Sequence, residues 1–288
     1  MRGSEAHSSG PGRMADEKLR WHFLGTGTLV PEPGRVPCAS LVEAGGTRVL
    51  LDAGPGSLTR AARMGLDLFD VAAVLLTHYH QDHSAGLAPL LAALRFTPGR
   101  RRTEPLGIAG PPPVVKFLDR LLALYPELRP ESFEIRPLEV PELPGEGSGG
   151  LELGPLRVLA VPVEHAGGRA RGYRIRWEGL FVATAGDTGP CPALEDLARS
   201  ARLFACECSF PTSGKRGGHM DPSALADLAV RARPGTLLVQ HVYPPASPEG
   251  MAREIGRAWG GEVLGLADGT TLELDASGRL EVIGHGPA

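Results

Sequence analysis

Between Thr77 and His83 the chain reads Thr-His-Tyr-His-Gln-Asp-His, so His78, His80, Asp82 and His83 place four potential metal ligands within six residues. Three of the nine histidines of the whole chain sit in this one segment. In an extended segment alternate side chains share a face, so His78 and His80 point the same way, as two ligands of one ion must. Asp82 and His83 are adjacent and can both face a second ion only if the chain turns there. A polar loop of merely hydrogen-bonded histidines is the competing reading. It is disfavoured because clustering these groups costs desolvation and mutual repulsion unless a cation sits between them. The donors are nitrogen and oxygen, with no cysteine among them. Such a set suits zinc and tolerates manganese or iron.

His78-x-His80-x-Asp82-His83 resembles the signature of the metallo-β-lactamase superfamily, and later motifs follow in that family's order. Val163–Glu164–His165 matches its single histidine at a strand end, Ala185–Gly186–Asp187–Thr188 its later aspartate, and Leu238–Val239–Gln240–His241 its last histidine. The resemblance runs from Trp21 to the C-terminus and implies an α/β, four-layered αββα sandwich with ligands on loops at one rim. It also implies a ligand set: His78, His80 and His165 on one divalent ion, Asp82, His83 and His241 on the other, and Asp187 bridging both. Taken singly, His165 or His241 reads as a structural histidine and Asp187 as a turn residue; their order after the first motif makes them a set. Two such ions lower the pKa of a shared water toward neutrality, so that hydroxide attacks phosphorus or a carbonyl carbon at pH 7.

Within the superfamily the chain is most similar to the ribonuclease Z and phosphodiesterase branch. The likeness rests on Phe23–Leu24–Gly25–Thr26–Gly27–Thr28, Leu75–Leu76–Thr77–His78–Tyr79–His80, Cys206–Glu207–Cys208–Ser209–Phe210 and Gly218–His219–Met220–Asp221–Pro222. It implies that Glu207 and His219 pair beside the metals, with His219 protonating the leaving oxygen, and counts both with Asp82 as catalytic. Two features depart from the branch. Only 21 residues separate His165 from Asp187, too few for the long arm that clamps transfer RNA, and Asp221 stands where the branch has Thr or Ser. The expected substrate is therefore a small or single-stranded phosphodiester, and transfer RNA is disfavoured. A lactonase, thioesterase or β-lactamase acting on a carbonyl is the alternative, and an inactive binding protein is a third class. A proton donor for an alkoxide leaving group favours the phosphodiesterase. The family likeness also implies a homodimer.

The elements that must position these groups can be read from periodicity. Trp21–Leu24, Ser40–Glu43 and Arg48–Leu51 read as short strands between Gly/Pro turns, and Val71–Leu76 as an apolar strand. Leu87, Leu90, Leu91 and Leu94 lie on one face of a helix that tolerates Pro89 only in its first turn. A second helix is predicted over Pro112–Tyr125. Val140–Gly150 reads as a surface loop, and strands resume at Leu156–Val161, Gly172–Trp177 and Leu180–Ala183. A helix should start with Asp221 as N-cap and Pro222 at its first position. Thr236–Val239 reads as a buried strand and Pro248–Trp259 as a helix capped by Ser247. No repeat or linker divides the chain, which predicts one domain over 19–288 after a disordered segment, 1–18, in which Met14 is an alternative start.

Composition excludes other classes. A net charge of −3 brings no general attraction to nucleic acid or anionic lipid. No apolar run approaches the roughly 18 residues needed to span a bilayer, and Met1–Gly12 lacks the apolar core of a signal peptide. Four cysteines without a CxxC pair point to reduced thiols in a cytoplasm. Arg100–Arg102 and Arg169, Arg171, Arg174 and Arg176 form basic clusters, read as solvated faces. At 5% aromatic, the sequence shows no interleaved rings for base stacking.

Overall fold

The structure, a computed structural model, describes residues 18–140, 142, 150–165, 167, 170–214 and 216–285. Of the N-terminal segment expected to be disordered, 1–17 lies outside the described residues, as does most of the Val140–Gly150 loop, whereas Lys18 opens a strand and pairs with Asp275.

Strand side chains alternate between faces, and here both faces are apolar. Leu24, Leu41, Leu50 and Val74 join one buried cluster, while their neighbours Phe23, Val42, Val49, Leu51 and Leu75 join another. A sheet apolar on both sides must be covered on both, and the chain does this with two sheets face to face and helices outside. The first sheet has eight strands, in the order Leu280–His285, Thr270–Asp275, Lys18–Gly25, Ala39–Ala44, Thr47–Leu51, Ala73–Leu75, Leu106–Ala109, Ile135–Leu138. The second has seven: Glu262–Gly265, Thr236–Gln240, Leu203–Glu207, Leu180–Thr184, Ala170–Trp177, Leu156–Val163, Leu151–Leu153. In each sheet one part is an antiparallel meander and the rest parallel.

Three apolar clusters fill the three spaces between layers. Helices Ser57–Arg63, Leu87–Phe96 and Val114–Leu124 pack Ala61, Leu90, Leu94, Leu118 and Leu122 on the outside of the first sheet. Helices Pro192–Ala198, Pro222–Ala232 and Pro248–Trp259 pack Leu197, Leu225, Leu228 and Ile255 on the outside of the second. Between the sheets lie Trp21, Phe23, Tyr173, Ile175 and Trp177, all fully buried. The result is the expected αββα order of layers.

The predicted helix signals hold. Asp221 caps Pro222–Ala232 by accepting from Ser223 and Ala224 N–H, and Ser247 caps Pro248–Trp259 by accepting from Gly250 N–H. Asp is among the residues best suited to that cap, and its carboxylate satisfies two N–H groups of the first turn. Several elements lack a periodic signal because they are short and buried: Leu106–Ala109, Leu203–Glu207 and the helix Pro192–Ala198. The reading of the basic clusters as solvated faces holds for Arg100, Arg101 and Arg176, which are exposed, and needs correction at Arg102, Arg171 and Arg174. Arg102 is buried and donates to the carbonyls of Phe69, Val71, Glu104 and Pro105, tying two stretches of chain together. Arg174 gathers the carbonyls of Asp196, Leu197 and Arg199 at the end of a helix, and Arg171 pairs with Glu142. Arg169 lies outside the described residues. Among the described residues no helix is long and apolar enough to cross a membrane.

Candidate metal centre

Every predicted site residue lies in the rim where parallel strands of both sheets end. Asp52 follows Thr47–Leu51, and His78 and His80 follow Ala73–Leu75; Asp82 and His83 lie in the short helix Gln81–Ser84. From the second sheet come Asp187 after Leu180–Thr184, Glu207 ending Leu203–Glu207, and His241 after Thr236–Gln240. His165 follows the antiparallel strand Leu156–Val163, and His219 precedes the helix Pro222–Ala232. The carboxyl ends of parallel strands are where open sheets place ligands, because loops diverge there and leave a crevice.

The sheets are pinned together at this rim. Arg171 N–H donates to Thr77 C=O at 2.8 Å, the buried Tyr173 hydroxyl to Leu76 C=O at 2.8 Å, and His241 N–H to Thr26 C=O at 2.8 Å. Asp52 and His241 both hold left-handed backbone, φ 57° and 53°, a conformation that costs a non-glycine residue about 1–3 kcal/mol. Gly186, at φ 63°, is required twice over: a Cβ there would sit 2.5 Å from Thr77 Oγ1.

Two ligand clusters result. Donor atoms of His78, His80, His165 and Asp187 lie within 4.8 Å of one another, as do those of Asp82, His83 and His241. Asp187 faces both, with Oδ2 3.8 Å from His165 Nε2 and Oδ1 3.2 Å from His83 Nε2. Neighbours orient the rings. His83 Nδ1–H donates to Asp52 Oδ2 at 2.8 Å and His165 Nδ1–H to Gly218 C=O at 3.0 Å. Thr77 Oγ1 donates to Asp52 Oδ2 at 2.9 Å and so accepts from His78 Nδ1 at 3.2 Å. Ser209 Oγ donates to His241 C=O and accepts from His241 Nδ1, both at 3.0 Å. With each Nδ1 proton engaged, the Nε2 lone pairs face the crevice. His80 instead turns Nδ1 inward, 3.3 Å from His165 Nε2.

These residues fit a pair of cations. His78 Nε2, Asp82 Oδ1, His83 Nε2 and Asp187 Oδ1 are all buried and make no hydrogen bond. Each such group costs about 1–3 kcal/mol, and four in one crevice require a shared partner. Protonation reflects the same crowding. Burial, and then the nearby His83, hold His78 neutral, and burial also lowers His80. Burial opposes charge on His83, yet the carboxylates of Asp187 and Asp52 raise it well above the ordinary imidazole range. Burial would raise Asp187, but His241 and His83 hold its carboxyl well below the usual range.

A second, distinct arrangement adjoins the first. His219 Nδ1–H donates to Glu207 Oε1 at 2.8 Å, and Glu207 also accepts from Thr188 N–H at 2.7 Å and Ser209 N–H at 3.2 Å. Burial works against a charged His219, but the hydrogen bond and negative charge of Glu207, with Asp187 and Asp82 behind, outweigh it and raise its pKa. Glu207 and His219 have donor atoms within 4.8 Å of Asp187, so this pair can exchange a proton beside whatever the clusters bind.

Sequence reasoning missed Asp52 and Ser209. Asp52 stands alone after a strand, outside any histidine-rich motif; its one signal is the Asp-Ala-Gly that follows Leu51.

Comparisons with known proteins bear on the family and the fold. The family model described as "Beta-lactamase superfamily domain" matches residues 47–242. Ribonuclease Z of Mycobacterium marinum is 32% identical over 242 residues, covering 77% of this chain and 85% of that protein. Ribonuclease Z of Mycolicibacterium gilvum is 31% identical over 250 residues, covering 78% and 85%. Among solved structures, the metallo-β-lactamase-fold protein YhfI from Bacillus subtilis superposes with a TM-score of 0.75 at 21% identity, covering 89% of this chain and 99% of that one. The short form of human tRNase Z gives 0.68 at 22% identity, covering 88% and 98%.

Proposed function

This chain belongs to the β-lactamase superfamily of metal-dependent hydrolases and, within it, to the ribonuclease Z family, and from that premise we propose that it is a phosphodiesterase acting on a small or single-stranded phosphodiester. The observation that carries the reading is the Glu207–His219 pair, joined at 2.8 Å and set beside Asp187. Hydrolysis at a carbonyl with a good leaving group needs no such donor, whereas an alkoxide leaving phosphorus does.

His78, His80 and His165 would hold one ion, Asp82, His83 and His241 the other, with Asp187 shared. The nitrogen and oxygen donors suit zinc. When bound, such ions lower the pKa of water and stabilise negative charge developing on phosphoryl oxygens. The remaining work falls to this chain's own groups. Attack by water forms one P–O bond and breaks the bond to the leaving alcohol. His219 gives that oxygen its Nε2 proton, and the proton of the attacking water passes to solvent. Glu207 stabilises the imidazolium before transfer and fixes its ring through Nδ1. Asp52, through His83, and Ser209, through His241, are positioning residues.

Between His165 and Asp187 the chain forms the hairpin Ala170–Trp177 and Leu180–Thr184, turned at Glu178 and Gly179. That hairpin lies within the second sheet, so a transfer-RNA clamp in this stretch is not part of the proposal. Assembly as a homodimer and a cytoplasmic setting are, the latter in keeping with four cysteines that form no disulfide.

The test is turnover of bis-(p-nitrophenyl) phosphate against a lactone and a cephalosporin, using one metal-loaded sample. Diester hydrolysis alone, or far in excess, is expected. Turnover confined to the carbonyl substrates would replace the proposal with the carbonyl-hydrolase reading.

A further inference from the structure

Aromatic residues are scarce in this chain, yet two of them stand at the edge of the metal centre. Phe210 and Tyr243 stack with ring centroids 4.8 Å apart and planes 12° from parallel. Phe210 lies edge-on to His219 at 5.5 Å, and Tyr243 edge-on to His241 at 5.7 Å. The stack therefore reaches from the proton donor to a ligand of the second cluster. Both rings are partly exposed. Tyr79 and Phe117 form a second stack, but that one packs against the apolar cluster beneath helix Val114–Leu124, and its hydroxyl is tied to Pro111 C=O.

The pair is built in place. Phe210 and Tyr243 follow two neighbouring parallel strands, Leu203–Glu207 and Thr236–Gln240, and Tyr243 N–H donates to Ser209 C=O at 3.0 Å. Ser209 also braces His241, so ring stack and metal cluster share a support. Over Phe210 lies the guanidinium of Arg216, 4.6 Å from the ring centroid. Arg216 is exposed and, among the described residues, makes no ion pair or hydrogen bond. A solvated cation resting on a ring is held by about 0.5–1 kcal/mol, little enough for a substrate ring to displace.

We infer that Phe210, Tyr243 and Arg216 form a subsite for a planar ring carried by the leaving group of the diester, a nucleobase or an aryl group, with Arg216 closing over the ring or meeting its phosphate. The inference rests on the phosphodiesterase reading for the word leaving: the stack touches His219, the residue that protonates the departing oxygen, so a ring bound there belongs to the departing side. It deepens that reading by naming the recognised chemistry, an aromatic plane next to negative charge. Stacking of a base on an aromatic side chain is sequence-tolerant, because every base presents a π-face.

Two measurements test this. In the first, phenylphosphonate and methylphosphonate are titrated calorimetrically into the metal-loaded protein and into Phe210→Leu, Arg216→Gln and Phe210→Tyr. The wild type should bind phenylphosphonate about tenfold more tightly than methylphosphonate, a preference typical of one stacked ring. Phe210→Leu should abolish the preference, Arg216→Gln should reduce it, and Phe210→Tyr should keep it. Equal binding of the two probes by the wild type overturns the proposal whatever the enzyme's turnover. In the second, KM is compared for bis-(p-nitrophenyl) phosphate and methyl p-nitrophenyl phosphate, which share a leaving group and differ in the retained one. Phe210→Leu should raise KM about tenfold for both, at unchanged metal content. A rise for the first substrate alone places the ring on the retained side and overturns the assignment. Failure of the wild type to hydrolyse either diester sinks the phosphodiesterase reading and, with it, the leaving-side assignment, while the phosphonate titration still decides whether the subsite takes a ring.

Discussion

Replacing His219 by alanine separates a proton donor from a metal ligand, and the structure sets the size of each effect. In the substitution Glu207 loses one donor but keeps Thr188 N–H and Ser209 N–H, at 2.7 and 3.2 Å. The carboxylate stays satisfied, so the fold should lose only about 1 kcal/mol, the net value of one hydrogen bond. Proton donation to a leaving oxygen is worth roughly 10²–10⁴ in rate, or about 2.7–5.4 kcal/mol of barrier at 1.36 kcal/mol per decade. That loss should appear in full for a diester with an alkyl leaving group. It should shrink to about tenfold or less for p-nitrophenolate, a stable anion that departs without a proton. The assay is kcat for both substrates, followed by chromatography for the first and absorbance for the second, with metal content measured on the same samples. An equal loss for both substrates refutes the donor role. A loss of bound metal would make His219 a ligand, a real alternative because its donor atom lies within 4.8 Å of those of Asp187 and Glu207. The pH profile carries an independent check of sign. Glu207 favours the charged form of His219, and an acid catalyst works below its pKa, so the alkaline limb of the rate on the alkyl diester depends on this pair. Glu207→Gln should move that alkaline limb to lower pH.

Three further outcomes follow from neighbouring geometry. Asp52→Asn removes the charge that orients His83 Nε2 toward the crevice, and metal affinity should fall about 10–100-fold, measured by competition with a chromophoric chelator. Unchanged affinity would end its role as a positioning residue. Arg102→Met should destabilise by about 3 kcal/mol, because buried carbonyls of Phe69 and Val71 lose their donor; denaturant midpoints decide, and a shift within error refutes the bracing role. Burial raises the thiols of Cys38, Cys206 and Cys208, so iodoacetamide at pH 8 should modify only the partly exposed Cys191, seen as a single adduct by intact mass.

How much of this was legible in the sequence depended on whether a residue's role was written locally. His78, His80, Asp82 and His83 announce themselves as candidates because four potential ligands crowd one short segment. His165, Asp187 and His241 are ordinary alone and became candidates only through their order along the chain; the structure brings their donor atoms into the same two clusters. Helix ends at Asp221 and Ser247 were readable because a cap is a local contract between one side chain and the next turn. Asp52 was not, since its meaning arises across 31 residues of separation, in the contact with His83. The basic runs misled in part for a related reason: charge density does not say whether a guanidinium faces water, as at Arg100, Arg101 and Arg176, or a set of carbonyls, as at Arg102. The scarcity of aromatics likewise hid the Phe210–Tyr243 stack, because composition averages over the chain and topology does not.

The division of the ligands between the two sheets has a consequence for how the protein comes into being. Each cluster draws donors from both: His78 and His80 meet His165 and Asp187, while Asp82 and His83 meet His241. A nascent chain released only as far as Phe96 carries the whole histidine-rich segment, yet none of the partners that would complete either trap. An ion caught there would be held by a fragment of its final cage. Full capture would wait for His241, at the start of about the last sixth of the polypeptide, and the ion would then act as a rivet through the sandwich. A thousandfold excess of metal over its dissociation constant would add about 4 kcal/mol to the docked state, so starving such cells of the ion should thin the population of finished molecules before it slows any that remain.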